Sequence, residues 1–435
     1  MWPLYTVFFA FSLLCGLSQD VMGSCELQTT SNAPLIVTTF GSKKILSDSA
    51  GTHERDTGET IELFCGSGFS FAYIDYNRYD QVFEINDVKH TLRCQSDGYF
   101  NSPSRDDTLR SLKVSCLKGV SQLFESRTSL PNCEGDMTLI LGHDFDEMGS
   151  IKSAAMCYDI VASRVKYIAY TTFPTKNRIL QKTQLGQLND IGLDIKVTYS
   201  KNLIKSVSQA EIDAYMVKEK QLAQLFLGGG FQSASLVQDE AVDSQLAGYE
   251  DMMSTTWLSA LRSGNWKHWV TAMRVATSAG VHFDVRLGVS GVLELPLPVG
   301  RSCNASRSLA IELADGSSQP VPAHIWAHVH SLEATGGVQD EFVIIGHNSP
   351  FYRHGNSSDL CSSMCEQVSW LRSSLFASLH QFPAYGLVQC CRVEDVASKL
   401  DNFPGAFVNE VASRSSTPAP TSIPEFVMSQ EPVLG

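Results

Sequence analysis

The stretch from Thr255 to Pro298 constrains the fold most, because it predicts one amphipathic helix followed by two strands. Gly264 and Asn265 predict the helix start, since an asparagine side chain can accept a bond from a free backbone N–H there. Gly280 predicts its end. Apolar residues recur at three- and four-residue spacing, which is typical of a helix lying against a sheet: Trp266, Trp269, Val270, Met273, Ala276 and Thr277.

The segments after this helix have the pattern of strands. Val281, Phe283, Val285 and Leu287 alternate with polar residues, which predicts a half-buried strand. A second strand is predicted over 291–298, after a Gly-Val-Ser-Gly turn. Together they predict an antiparallel sheet with the helix packed across it.

The ordered motifs of this region resemble the secreted arthropod branch of the DNA/RNA non-specific endonuclease family, the ββα-metal nucleases. That family has Gly-Asn-Trp opening a helix, an Arg eight residues after the Trp, a Thr-Gly-x-x-Gly-Val-Leu strand, Pro-Val-Pro before a Trp, and an Asn-Asn-Pro segment. Similar segments here are Gly264–Trp266, Arg274, Leu287–Leu293, Pro320–Pro322 before Trp326, and Gly346–Phe351. Cys361, Cys365, Cys390 and Cys391 resemble its C-terminal cysteine block.

The resemblance implies an α+β fold, a ββα-metal nuclease-like antiparallel sheet with packed helices, preceded by a small disulfide-bearing β-rich domain. We expect a signal peptide over 1–23, the β-rich domain over 24–135, the endonuclease-like domain over 136–412 and a disordered tail over 413–435. Short alternating strands, three of them ending in Cys, support the second range: 61–65, 81–85, 90–94 and 112–116.

An apolar run over residues 1–17 precedes Ser-Gln-Asp and is short for a membrane span, so it predicts a secreted, extracellular protein. Eleven of the 12 cysteines follow it, and export makes disulfides their expected state, with one left over. Cys361 or Cys365 should be bridged to Cys390 or Cys391, because the two pairs flank one helix-strand unit. Asn304 and Asn356 lie in glycosylation sequons.

The formal charge of −13 argues against a protein that coats nucleic acid with its whole surface, because such binding depends on Lys and Arg. Charge is uneven, however. Residues 151–220 carry 11 Lys and Arg against 6 Asp and Glu, so a local basic face is possible.

Most of the chemical groups that the resemblance implies are missing. Those nucleases use a His as base, a divalent metal and an Arg that holds phosphate. Ungapped counting from Thr256 and Trp257 puts Glu240 where the family His belongs, and Val270 fills the position of a metal-ligating Glu. About seven residues that carry the Asn ligand are absent, and only Arg274 remains. We therefore predict no catalytic residue, no metal ligand and no cofactor.

Other histidines are weak substitutes. His268 lies six positions from Arg274, on roughly the opposite helix face. His328 and His330 share one strand face near His324, and are interpreted as exposed strand histidines. Trp266 and Trp269 are expected in the core rather than stacked on bases.

Three functions remain open. The first is a degenerate relative, similar to the salivary proteins of blood-feeding flies, that binds DNA or RNA without sequence preference through Arg274, Lys267 and Arg262 and cleaves little or not at all. The second is an active endonuclease, which alone would require Mg²⁺. The third is a repurposed scaffold that binds a protein.

Overall fold

The computed structural model describes residues 23–407, apart from internal gaps. The gaps are 31, 41–42, 48–49, 75–79, 103–104, 110–111, 118, 146–148, 174–177, 181–183, 196, 200–205, 219–229, 296–305, 314–315, 334–339 and 353–358. Residues 1–22 of the predicted signal peptide and the predicted tail therefore lie outside the described residues, as do Cys303, Asn304 and Asn356.

The N-terminal part forms two sheets. The five-stranded sheet has the order β4-β1-β11-β6-β7. Its strands are β1 (Cys25–Thr29), β4 (Gly51–Arg55), β6 (Phe69–Ile74), β7 (Asp80–Ile85) and β11 (Leu112–Cys116). The seven-stranded sheet has the order β10-β9-β8-β5-β2-β3-β16. Its strands are β2 (Leu35–Phe40), β3 (Lys43–Ser47), β5 (Thr60–Phe64), β8 (Lys89–Cys94), β9 (Phe100–Ser102), β10 (Arg105–Leu109) and β16 (Arg178–Leu180).

Two disulfides and a shared apolar core hold these two sheets together. Cys25 is bonded to Cys94, and Cys65 to Cys116, so each bond joins one sheet to the other. Core residues such as Leu27, Leu63, Phe71 and Leu92 are fully buried. Because the disulfides restrict the unfolded chain, they stabilise a unit whose strands are short.

A nine-stranded antiparallel sheet forms the centre of the rest of the chain, in the order β17-β12-β13-β14-β15-β20-β25-β26-β27. Its strands are β12 (Gln122–Ser126), β13 (Met137–Asp144), β14 (Ser150–Asp159), β15 (Arg164–Thr171), β17 (Val197–Thr198), β20 (Phe283–Ser290), β25 (His324–Ser331), β26 (Glu341–His347) and β27 (Val388–Cys391). The remaining strands form two-stranded pairs: β18 (Phe231–Ser235), β19 (Ser254–Leu258), β21 (Glu294–Leu295), β22 (Arg307–Ser308), β23 (Ala310–Glu312) and β24 (Ser318–Pro320).

Most of the helices are short. The α-helices are α1 (Gln187–Asp190), α2 (Gln209–Lys218), α3 (Glu240–Asp243), α4 (Ser259–Leu261), α5 (Lys267–Ser278), α6 (Leu375–Leu379) and α7 (Val393–Val396). The 3₁₀ turns are Ser244–Leu246, Glu250–Met253, Cys365–Gln367 and Pro383–Tyr385, and a π-helical turn covers Arg262–Trp266. Within the described residues, no helix is long and apolar enough to cross a membrane.

The large sheet is covered on both faces. Helix α5 and the buried indoles of Trp257, Trp266 and Trp269 pack on one face. Tyr167, Trp326 and other buried side chains cover the opposite face. The expected core positions of Trp266 and Trp269 are therefore confirmed.

The structure confirms an α+β fold and the predicted disulfides of the C-terminal block. Cys361 is bonded to Cys391 and Cys365 to Cys390, and a further bond joins Cys133 to Cys157. All ten cysteines within the described residues are therefore paired.

Strand pairing crosses the predicted boundary at residue 135. Strand β12 lies before that boundary but pairs with β13 in the nine-stranded sheet. Strand β16 lies after it but pairs with β3 in the N-terminal part. Phe145, on the later side, also packs on Phe64 with ring centroids 4.8 Å apart. The nine-stranded sheet thus begins at Gln122, and the division into separate domains stays a prediction.

Three local predictions were wrong. Asn265 does not cap a helix, because it lies inside the π-helical turn that joins α4 to α5. The strand β20 is not half-buried, because its polar residues Asp284 and Arg286 are each only 3% exposed. The sequence pattern also predicts a helix over 368–379, but the helix there is confined to α6, since turns occupy the residues before it.

Candidate nucleic-acid interface

The Gly264-Asn265-Trp266 motif holds a neighbouring loop in place. The Asn265 side-chain amide donates hydrogen bonds to the carbonyl oxygens of Leu379, at 2.8 Å, and Gly386, at 2.5 Å. Gly264 is required for close packing, because a Cβ there would lie 2.4 Å from the carbonyl oxygen of Tyr385. We call residues 379–386 the aromatic loop. The motif fixes both ends of this loop against the start of α5.

A buried ion pair lies at Asp239, next to the position that the resemblance predicts for a catalytic His. The Arg274 guanidinium on α5 donates to the carboxylate of Asp239, next to Glu240. It also donates to the backbone carbonyl of Phe173. The Asp239 side chain is fully buried, while that of Arg274 is 17% exposed. The Arg274 charge is therefore largely neutralised by the protein itself.

The residues at this position do not fit the divalent metal that the resemblance implies. Val270 is buried and has no ligand atom, and Glu240 is exposed on α3. The Asp239 carboxylate is in contact with a guanidinium, whose charge opposes a second cation at the same oxygens. In the described part of the chain, the one cluster with metal-ligand spacing is Cys133, Asp136 and Cys157, but its two cysteines form a disulfide.

The other two predicted nucleic-acid contacts lie near the start of α5. Lys267 is exposed. Arg262 is half-buried, and burial lowers the pKa of its guanidinium while the charge of Asp243 opposes that shift. Lys267 is thus the better placed of the two to meet a phosphate from solvent.

Two packed segments around α5 contain no acidic residue. Residues 252–283 and 367–393 hold no Asp or Glu, although the chain has 46 of these residues. The segments are in contact through Asn265 and the aromatic loop, and through His268 and Tyr385, whose ring centroids are 6.1 Å apart. Lys267 and Arg372 are exposed on them. We call their exposed side chains the acid-free surface.

A second polar group, which sequence reasoning missed, is buried under the opposite face of the sheet. We call it the interior polar cluster. Thr171 donates to the Asp284 carboxylate at 2.6 Å, and Arg286 donates to the Gln187 side-chain oxygen at 3.0 Å. His328 donates to Glu341 at 2.8 Å. Arg286 and His328 lie directly opposite each other on paired strands. The alternating polar residues of these two strands were the sequence signal that could have indicated the cluster.

Burial dominates the electrostatics of this cluster. It raises the pKa of Asp284 and lowers that of His328 to about 4. Burial opposes ionisation of Glu341, but hydrogen bonds from His328 and the Phe407 N–H lower its pKa overall. The prediction of exposed histidines is therefore wrong for His328, which is fully buried. We interpret the cluster as structural, since its groups bond to one another.

A cavity of about 330 Å³ lies at a third place, at the end of strands β15 and β20. Its lining includes Arg164, Lys166 and Asp401. Lys166 is already paired with Asp136, and Asp401 accepts a bond from the Gly291 N–H. The cavity therefore has no concentrated charge of one sign.

The chain matches no protein-family model, and no curated protein matches it. The functional argument consequently depends on the residues of the chain and on the geometry above.

Proposed function

We propose that this chain is a secreted protein that binds DNA or RNA without sequence preference, on a degenerate DNA/RNA non-specific endonuclease scaffold, with little or no phosphodiester cleavage. The observation that carries the proposal is the acid-free surface around α5 in a chain with a net charge of −13. Because the segments that form this surface contribute no carboxylate of their own, phosphates that approach their Lys and Arg side chains meet less repulsion than elsewhere on this acidic protein.

The lack of cleavage follows from the Asp239–Arg274 pair. An active site of the implied type needs a base and a bound metal, and here a neutralised ion pair occupies the corresponding segment. Arg274 remains a predicted phosphate contact, but its charge is shared with Asp239. Lys267 and Arg262 then supply more of the attraction to phosphate.

Secretion is supported by the disulfides. Five bonds are present among the described residues, and such bonds persist mainly in oxidising compartments.

Salt-dependent binding tests the proposal. Contacts to about three phosphates give a slope of about −2.7 in log affinity against log salt, so a rise from 50 to 200 mM lowers affinity about 40-fold. Fluorescence anisotropy with a labelled duplex measures this effect. Lys267→Ala should reduce the slope by about 0.9, whereas the control Lys113→Ala, at an exposed position on β11, should leave it unchanged.

The alternatives give different results. Metal-dependent digestion of plasmid DNA, abolished by a chelator, would establish the active endonuclease instead. Absence of salt-sensitive binding to any DNA or RNA would favour a scaffold that binds protein.

A further inference from the structure

The aromatic loop exposes large apolar rings to solvent. Phe382 is 55% exposed and Tyr385 is 42% exposed, on a segment whose neighbours are mostly polar or small. Elsewhere in the described chain, large aromatic side chains are mostly buried in the cores. Burying such rings against a partner is favourable, so two exposed rings on one short loop mark a candidate binding site.

The loop is also rigidly held. Asn265 bonds its two ends, and the backbone N–H of Val388 donates to the His380 carbonyl at 3.0 Å, closing the loop. The Pro383–Tyr385 3₁₀ turn fixes its tip. Gly386 has a φ of 74° and lies against Leu261, where a Cβ would come within 2.4 Å of the Leu261 Cα. The rings are therefore presented in a preorganised position, which lowers the entropy lost on binding.

The two segments that carry and hold the loop, residues 252–283 and 367–393, contain Lys, Arg and His but no Asp or Glu. The loop belongs to the acid-free surface. Tyr385 lies beside His268, and the residue before His268 is the exposed Lys267. Exposed aromatic rings on segments that carry cations and no carboxylates of their own match the chemistry of single-stranded nucleic acid, whose bases present π-faces and whose backbone is anionic. In a duplex the bases are stacked on each other and cannot reach the rings.

We propose that Phe382 and Tyr385 stack on unpaired bases, so that the protein prefers single-stranded over double-stranded nucleic acid. The inference depends on the proposed function and specifies its substrate class. Lys267 would then hold the adjacent phosphate backbone while the two rings contact successive bases.

The test compares a labelled 20-nucleotide single strand with the duplex of the same sequence, by fluorescence anisotropy on the full chain. Tyr385→Ala and Phe382→Ala should each weaken single-strand binding by about 5- to 150-fold, the range for loss of one stacked base. Duplex affinity should change little. The slope against salt should also stay the same, because no phosphate contact is removed.

Two control variants separate stacking from general apolar contact. Tyr385→Phe keeps the ring and should retain single-strand affinity, while Tyr385→Leu keeps apolar character and should lose it. Leu375→Ala removes a side chain that is 66% exposed on α6, and should have little effect. Circular dichroism and thermal unfolding of each variant establish that the fold is intact.

The outcomes distinguish this inference from the proposed function. If duplex and single strand bind equally, and the ring variants bind both like wild type, the stacking inference is wrong while nucleic-acid binding stands. If neither nucleic acid binds, the proposed function fails first. If sedimentation shows that the wild type self-associates and the ring variants do not, the loop is an interface between copies of this chain, and the stacking inference is overturned.

Discussion

Replacing Arg274 by alanine should destabilise the protein more than it weakens phosphate binding. The Asp239 carboxylate is fully buried, and its Oδ2 atom has no hydrogen-bond partner among the described residues. Removing the guanidinium therefore leaves an uncompensated charge in the interior. Breaking a buried pair from one side costs about 3–5 kcal/mol, which is far above the 0–1 kcal/mol typical of an exposed pair.

The partner variant gives an internal comparison. Asp239→Asn removes the negative charge opposite Arg274, but that guanidinium is 17% exposed and still donates to the Phe173 carbonyl. We expect this loss to be smaller, about 1–3 kcal/mol. The double variant Asp239→Asn/Arg274→Met should be less destabilised than the sum of the two single changes, because the single changes share one interaction.

Urea unfolding followed by tryptophan fluorescence is a suitable assay, because Trp266 and Trp269 are buried near this helix. The quantity compared is the free energy of unfolding of each variant. A loss below about 1 kcal/mol for Arg274→Ala would refute the reasoning, since it would place the pair in the range of surface ion pairs. Strict additivity in the double variant would refute the direct coupling.

Three further predictions concern the loop, the disulfides and pH. Asn265→Ala should lower the free energy of unfolding by about 1–3 kcal/mol, measured in urea, because two carbonyl oxygens lose their donor; an unchanged midpoint would contradict the bonding described above. Non-reducing peptide mapping should find Cys365 linked to Cys390, and free thiols at both would contradict the structure. Burial lowers the pKa values of His143 and His328 in the folded protein to about 4. As pH falls, these histidines are therefore protonated in the unfolded chain before they are protonated in the folded protein. Stability should therefore be full above about pH 6.5 and decline towards pH 4, and His328→Gln should flatten that decline in thermal unfolding.

Features of the fold that depend on the spacing of residues close together in the sequence could be predicted. The 3.6-residue periodicity predicted α5. The C-terminal cysteines were predicted to pair between the two groups Cys361/Cys365 and Cys390/Cys391, as observed, although the sequence left open which cysteine bonds to which. Alternation of apolar residues also found the strands around Cys94 and Cys116.

Features that depend on distant parts of the chain could not be predicted. Asp239 and Arg274 are 35 residues apart, and no periodicity connects them. The polar residues of β20 suggested a solvent-facing side, but packing against α1 and residues 401–407 buries them. Asn265 had the right residue type for a helix cap, yet tertiary bonding to the aromatic loop determined its role.

The pairing of β16 with β3 has a consequence for synthesis. Strand β3 ends at Ser47, and its partner β16 begins only at Arg178, about 130 residues later. At 5–20 residues per second, translation of that interval takes roughly 7 to 26 seconds. During this time, β3 is the open edge of a growing sheet, and open edges pair readily with strands of other chains. The edge of β3 therefore stays open to pairing with other chains until Arg178–Leu180 has been synthesised and covers it.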